Sequence, residues 1–277
     1  MRILIATHDS PNADRTLRFS AQILRQVSEP ALMLTVVKDE ADRPQAEEYL
    51  ARACASFEPS IPRMQTRVRV GPPAQEIIRE AEEGDYELLI AGISDGARVA
   101  ERLLGSTALR VAEQAPCPVL IVKGQVGPIR RILLCDSGAE IPSPLGRFTV
   151  RLAESIGGEE EVTVLHVMSQ ISAGPGVRGS QLRAVAEELI QEETPEGRLL
   201  KHDLQDLDHP GIRPSPKVRH GLVVDEILAE ARGGSYDLVV IGAYRGKGWQ
   251  RFLLDDLARK LLTQLDRSVL VVPHTLG

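Results

Sequence analysis

TRVRVGPPAQEIIREAEEGDYELLIAG, from Thr66 to Gly92, lies without a gap over PKVRHGLVVDEILAEARGGSYDLVVIG, from Pro216 to Gly242. The offset of 150 residues holds onward through Gly96 and Gly246, through Leu103–Leu104 and Leu253–Leu254, and on to VLIV at Val119–Val122 over VLVV at Val269–Val272. The chain is an internal duplication, and that decides the fold before any local motif does. The first strands match as well, RILI at Arg2–Ile5 against RILL at Arg131–Leu134, but at an offset of 129, so the second copy holds 21 more residues (150 less 129) between its first strand and its third. GQVGP at Gly124–Pro128 interrupts strand and helix patterns alike. It separates a first domain over 1–125 from a second over 126–277, with the insertion near 172–212.

In the first copy, short β-branched runs alternate with helical patterns. ILIAT is followed by an amphipathic stretch from Ala13 to Val27, then by LMLTVV, a helix around Gln45–Ser56, QTRVRV, a helix from Ala74 to Glu82, YELLIAG, a helix from Ser106 to Gln114, and PVLIV. Such alternation predicts α/β architecture with parallel strands joined by helical crossovers, two tandem doubly wound repeats in all. LLIAG and LVVIG are apolar throughout, as central strands buried on both faces must be. Within the insertion two helical patterns follow a Gly-Pro-rich bridge at Ser172–Gly179. The later one opens at Thr194–Pro195, a capping residue followed by proline at the first helical position. Val119–Val122 and Val269–Val272 would be exposed apolar edges if left alone, so they are expected to pair with each other.

The 277 residues, 43% hydrophobic and 26% charged, suit two folded domains. A net charge of −6 removes any global attraction to nucleic acid or to an anionic membrane. Cys54, Cys117 and Cys135 show neither C-x-x-C pairing nor histidine spacing, so no metal site or disulfide framework is expected and a reducing cytoplasm fits. MRILIATHDS is too short in its apolar run for a leader, and no run of about 18 apolar residues follows.

Ligands of open α/β sheets bind outside the carboxyl ends of the strands, where strand order reverses. The segment after the fourth strand, AGISDGARVAERLLGSTALRVAEQ at Ala91–Gln114, brings Gly92 and Gly96 for a tight backbone. Gly105 and Ser106 stand at the start of the next helix, whose free N–H groups suit a phosphate. With APCPVLIV closing the copy, the chain resembles the universal stress protein family. Its ATP-binding members carry G-x-x-G, nine residues, Gly-Ser or Gly-Thr, and then a Cys-Pro-Val strand. The resemblance runs over both repeats. It implies an adenine nucleotide alpha hydrolase-like, Rossmann-like fold and an intrachain pseudo-dimer joined through the last strands. It also implies a stress-response regulatory role without catalytic residues. ATP or another adenine nucleotide is expected at Thr7, His8, Asp9, Val37, Gly92, Gly96, Gly105 and Ser106 of the first repeat, with an unknown protein partner.

The departures from the family pattern are specific. Asp95 falls where the second glycine belongs, with Gly96 one place late, and His8 takes the place of the usual aspartate after the first strand. In the second copy Asp255 and Asp256 replace the Gly-Ser pair, which suits a helix start and repels a triphosphate, so this copy is expected to be degenerate. Plainer readings stand beside these. Gly105–Ser106 is also an ordinary turn and helix cap, and His8, with no neighbouring ligand in sequence, is also a packed or solvated imidazole. Cys117 reads as core. GAYRGKG is no P-loop, because Gly248 follows Lys247 where serine or threonine is needed. A nucleotide-free interaction scaffold is the alternative function.

Overall fold

The computed structural model describes residues 1–57, 64–93, 106–136, 143–168, 185–245 and 256–275. The first copy runs β1 (Ile3–Ala6), α1 (Ala13–Ile23), β2 (Leu32–Val37), α2 (Arg43–Ala55), β3 (Gln65–Val70), α3 (Pro73–Glu83), β4 (Leu88–Gly92), α4 (Ser106–Gln114) and β5 (Val119–Val122). The second runs β6 (Arg131–Cys135), α5 (Pro144–Ile156), β7 (Glu160–Met168), α6 (Ala186–Gln191), α7 (Pro195–Asp206), β8 (Ile212–His220), α8 (Val223–Gly233), β9 (Leu238–Arg245), α9 (Asp256–Gln264) and β10 (Ser268–Thr275).

Apolar spacing explains the helices. α3 buries Ala74, Ile77, Ile78 and Ala81, and α8 buries Ile227, Leu228 and Ala231 at the same offset of 150. α7 begins as its sequence predicts, with Thr194 Oγ1 accepting the Gly197 N–H at 3.0 Å. α1 is shorter than its pattern. It stops at Ile23, a 3-10 turn covers Leu24–Gln26, and Val27 is extended. Shifted by 150, α2 falls on 193–205. α7 is therefore its counterpart, and the additional residues of the second copy lie between β7 and α7, α6 among them.

By contacts the chain divides into Met1–Pro128 with Ala243–Gly277, and Ile129–Gly242. In the first unit the strand order is β3-β2-β1-β4-β5, all parallel, with β10 antiparallel on β5. Val119 faces Val271, Leu120 faces Leu270 and Ile121 faces Val269, so the last strands of the two copies pair as expected. Gly124, at a φ of 72°, follows β5 so closely against the Asp266 carbonyl that a Cβ would overlap it. Across the same junction Arg259 Nε of α9 donates to Glu113 Oε1 of α4 at 3.0 Å.

Lys123 is buried there, and its Nζ donates to the Leu262 carbonyl at 2.5 Å. Burial, opposed by the nearby Asp266 charge, pulls its pKa down to about 8. The unfolded chain therefore holds more protons than the native one between pH 8 and 10.5, and stability gains from raising the pH across that window. Lys123→Met is expected to abolish that gain, as read by chemical denaturation at pH 8 and pH 10.

In the second unit the order is β9-β6-β7-β8, all parallel. Pro214 and Pro216 sit in β8 opposite Val162 and Val164, which only an edge strand tolerates, and they block further pairing on that side. Each edge strand carries the same ionic network. Glu80, 1% exposed, accepts from Arg67 Nη1 at 2.6 Å, Arg69 Nε at 2.7 Å and the Tyr86 hydroxyl at 3.0 Å. At the 150-residue offset Glu230, 3% exposed, accepts from Lys217 Nζ at 2.8 Å, Arg219 Nη1 at 3.1 Å and the Tyr236 hydroxyl at 2.8 Å.

Candidate functional site

β1 pairs with β2 on one side and β4 on the other, so the strand order reverses between β1 and β4. A cavity of about 160 Å³ opens there at the carboxyl ends of the strands. Its floor is Ala6, Thr7 and His8 from β1 and the residues after it, with Ala91 and Gly92 from β4. Leu34 and Val36 of β2, Pro73 and Ile77 of α3, and Thr107, Ala108 and Val111 of α4 complete the lining. An apolar cavity of about 150 Å³ is large enough to hold a benzene ring. This one accommodates a ring system, and among the described residues its wall is aliphatic apart from Thr7, His8 and Thr107.

Thr7 is fixed on three sides. Its N–H donates to the Leu34 carbonyl at 2.9 Å, its carbonyl accepts from Thr35 Oγ1 at 2.9 Å, and its hydroxyl shares a hydrogen bond with the Tyr49 hydroxyl at 2.7 Å. His8 borders the cavity while much of its ring reaches solvent. Desolvation against the wall lowers its pKa, with Asp9 opposing, so the ring is neutral at pH 7 and offers one donor and one acceptor.

Asp9 does not line the cavity. It turns to Arg52 of α2 at 3.2 Å, an exposed pair of the kind that contributes about 0–1 kcal/mol. Val37 does not line it either. Strand alternation puts Leu34 and Val36 on the cavity face, while the Val37 carbonyl accepts the Gly71 N–H at 2.9 Å. Gly92 lines it and has a packing duty too, because a Cβ there would overlap Thr16 Oγ1 of the buried face of α1. Ser106 is exposed at the first position of α4, and the next residue, Thr107, is the one in the lining. Gly96 and Gly105 lie outside the described residues.

The aliphatic lining escaped motif reading because it carries no chemical signature. Its signal is geometric: positions two apart on β2 and four apart on α3 and α4. Four of the same positions are larger in the second copy, while Ser137 is a smaller stand-in for His8. Cys135 stands for Ala6, Ile241 for Ala91, Leu257 for Thr107 and Leu261 for Val111, each larger, and the charged Asp136 stands for Thr7.

No helix among the described residues is long and apolar enough to cross a membrane. Over its whole length the chain is similar to a universal stress protein from Archaeoglobus fulgidus, with a TM-score of 0.68, 20% identity, and coverage of 99% of this chain and 97% of that one. Universal stress protein MJ0531 of Methanocaldococcus jannaschii is 39% identical over 61 residues, which is 22% of this chain, and the match spans 36% of that relative's length. A shorter solved chain, a universal stress protein in complex with cAMP, is 26% identical over 44% of this chain and 95% of its own, with a TM-score of 0.37. The profile of the universal stress protein family matches residues 1–123 and again 128–273. With two consecutive matches that leave out only the short connection and the last few residues, this chain belongs to the universal stress protein family, as a tandem of two repeats.

Proposed function

We propose that the first repeat binds an adenine nucleotide, ATP or a relative of it, and that occupancy alters a surface read by a protein partner in a stress response. The observation that carries this reading is the cavity at the β1/β4 reversal. It is aliphatic enough to take a flat base, and the neutral His8 ring, with one donor and one acceptor, borders it. The larger and charged counterparts in the second repeat support confining the ligand to the first. The role is binding rather than catalysis. A second reading, a nucleotide-free scaffold, is favoured by one feature: among the described residues no lysine or arginine lines the cavity to meet phosphates.

Protein purified without nucleotide, denatured and examined by mass spectrometry is expected to release an adenine nucleotide, or else to be stabilised thermally by ATP, ADP or AMP. Ala91→Ile and Thr107→Leu each import the second repeat's side chain into the cavity. They are expected to weaken binding by at least about tenfold, a loss of roughly 1.4 kcal/mol, with the circular dichroism unchanged. No released ligand and no shift at millimolar nucleotide would establish the scaffold instead.

A further inference from the structure

The two repeats differ most in chemistry at the end of their first strands. In the first, the Thr7 hydroxyl meets Tyr49 of α2. In the second, Asp136 occupies the Thr7 position, and α7 carries Asp203 and Asp206 where the first copy has Ala53 in α2 and Ser56 just after it. Asp136 is buried and accepts a hydrogen bond from Ser143 Oγ, while Asp206 Oδ2 accepts the Ser143 N–H at 3.2 Å. The residue that caps α5 thus ties down two of three neighbouring carboxylates. Asp203 is left over. It is 7% exposed, on the side of α7 that buries Leu200, and its carboxyl has neither a hydrogen bond nor a basic partner among the described residues.

We propose that α7 is a proton-gated latch, in which one proton on Asp203 lets the three carboxylates share the space between α7, the end of β6 and the cap of α5, and loss of that proton to solvent releases α7. Among the described residues the surrounding charges do not substitute for the proton. On α7 itself, His202 Nδ1 lies 3.4 Å from Asp206, and Glu196 faces His166 of β7. Burial lowers the pKa of His166, with Glu196 and Asp136 opposing, so it does not supply a fixed positive charge. On α5, Arg147 and Arg151 are exposed and Glu154 pairs with His209. On α6, Glu187 and Glu188 are exposed, and on β8, Lys217 and Arg219 are engaged by Glu230 and Glu226. Among the described residues no group of three His, Cys, Asp or Glu side chains is arranged to hold a metal ion.

Burial, reinforced by the charges of Asp136 and Asp206, pushes Asp203 up to about 7 from 3.8. The native state therefore keeps a proton that the unfolded state lacks between those values, and stability falls as pH rises through that window. Above about 7 the native carboxyl itself ionises and the latch opens. The folding constant of the wild-type chain relative to Asp203→Asn is expected to drop about tenfold per pH unit, hence roughly a hundredfold from pH 5 to pH 7.

The test follows amide hydrogen exchange of residues 195–206 in the intact chain at pH 6 and pH 8, corrected for intrinsic rates, beside urea denaturation of wild type and Asp203→Asn. Loss of α7 protection at pH 8 in wild type only, with a flatter stability profile in the variant, is the expected result. Equal protection at both pH values in wild type, or parallel pH profiles for the two proteins, overturns the latch. Stabilisation by magnesium at pH 8 that disappears in Asp203→Asn also overturns it, by showing that a cation and not a proton neutralises the cluster.

Discussion

Gly197→Ala is expected to lower stability by about 3 kcal/mol, the upper part of the range for forced overpacking. At Gly197 the α7 backbone comes against the last turn of α6. A Cβ would fall on the Leu189 carbonyl and the Ile190 nitrogen, both main-chain atoms that no rotamer change can move aside. The same carbonyl already accepts the Thr194 N–H at 3.1 Å and Thr194 Oγ1 at 3.3 Å, so displacing it also strains the cap that starts α7. Urea denaturation measures the loss, and a change under 0.5 kcal/mol, typical of a surface site, would show that the two helices are not in this close contact. Thr194→Ala is the companion variant, removing the cap and the hydroxyl's bond to the Leu189 carbonyl without adding bulk, for about 1 kcal/mol.

Truncating Glu80 is the second large effect. Glu80→Ala is expected to cost about 3 kcal/mol, since it strands a half-buried network of two guanidinium groups and a tyrosine hydroxyl. Glu230→Ala is expected to cost somewhat less, about 2 kcal/mol, because its better buried cation is closer to water: Arg219 is 33% exposed where Arg69 is 15%. Burial works to raise the pKa of Glu80, but the hydrogen bonds from Arg67, Arg69 and Tyr86 outweigh it and hold the carboxyl below its ordinary value. Its contribution is thus fully present above pH 4.5 and disappears as the pH falls through the depressed native pKa. Equal costs at pH 7 and pH 2 would contradict the ionic origin of the network. Arg69→Met, which removes the better buried cation and leaves the carboxylate in place, should approach the cost of Glu80→Ala at neutral pH.

Several parts of the molecule were legible without coordinates. The repeat offset carried the paired elements from one copy to the other, and α4 and β5 begin and end where their patterns do. The cap at Thr194–Pro195 predicted the start of α7. The ends of α1 and the boundaries of the insertion were less legible, since a 3-10 turn and an interrupted repeat each look like continuous helix in a pattern that registers only apolar spacing. At the candidate site, Thr7, His8 and Gly92, singled out in the sequence, line the cavity. The sequence did not distinguish Val36 from Val37, because both are apolar and only the direction of the pleat separates them. Nor did it show that Asp9, expected at the ligand, pairs with a cation on α2 that lies 43 residues away.

By itself the sequence determined that the chain is two copies of one α/β repeat, that its central strands are buried on both faces, and that the last strands need each other. Those properties are periodic, and periodicity survives without knowing what touches what. Only the tertiary structure decided the lining of the cavity, the two buried glutamates with their basic partners, and the three carboxylates around Ser143. Each of these depends on side chains from separate elements converging at a distance of a few ångströms, and burial then sets their ionisation, which no linear spacing encodes.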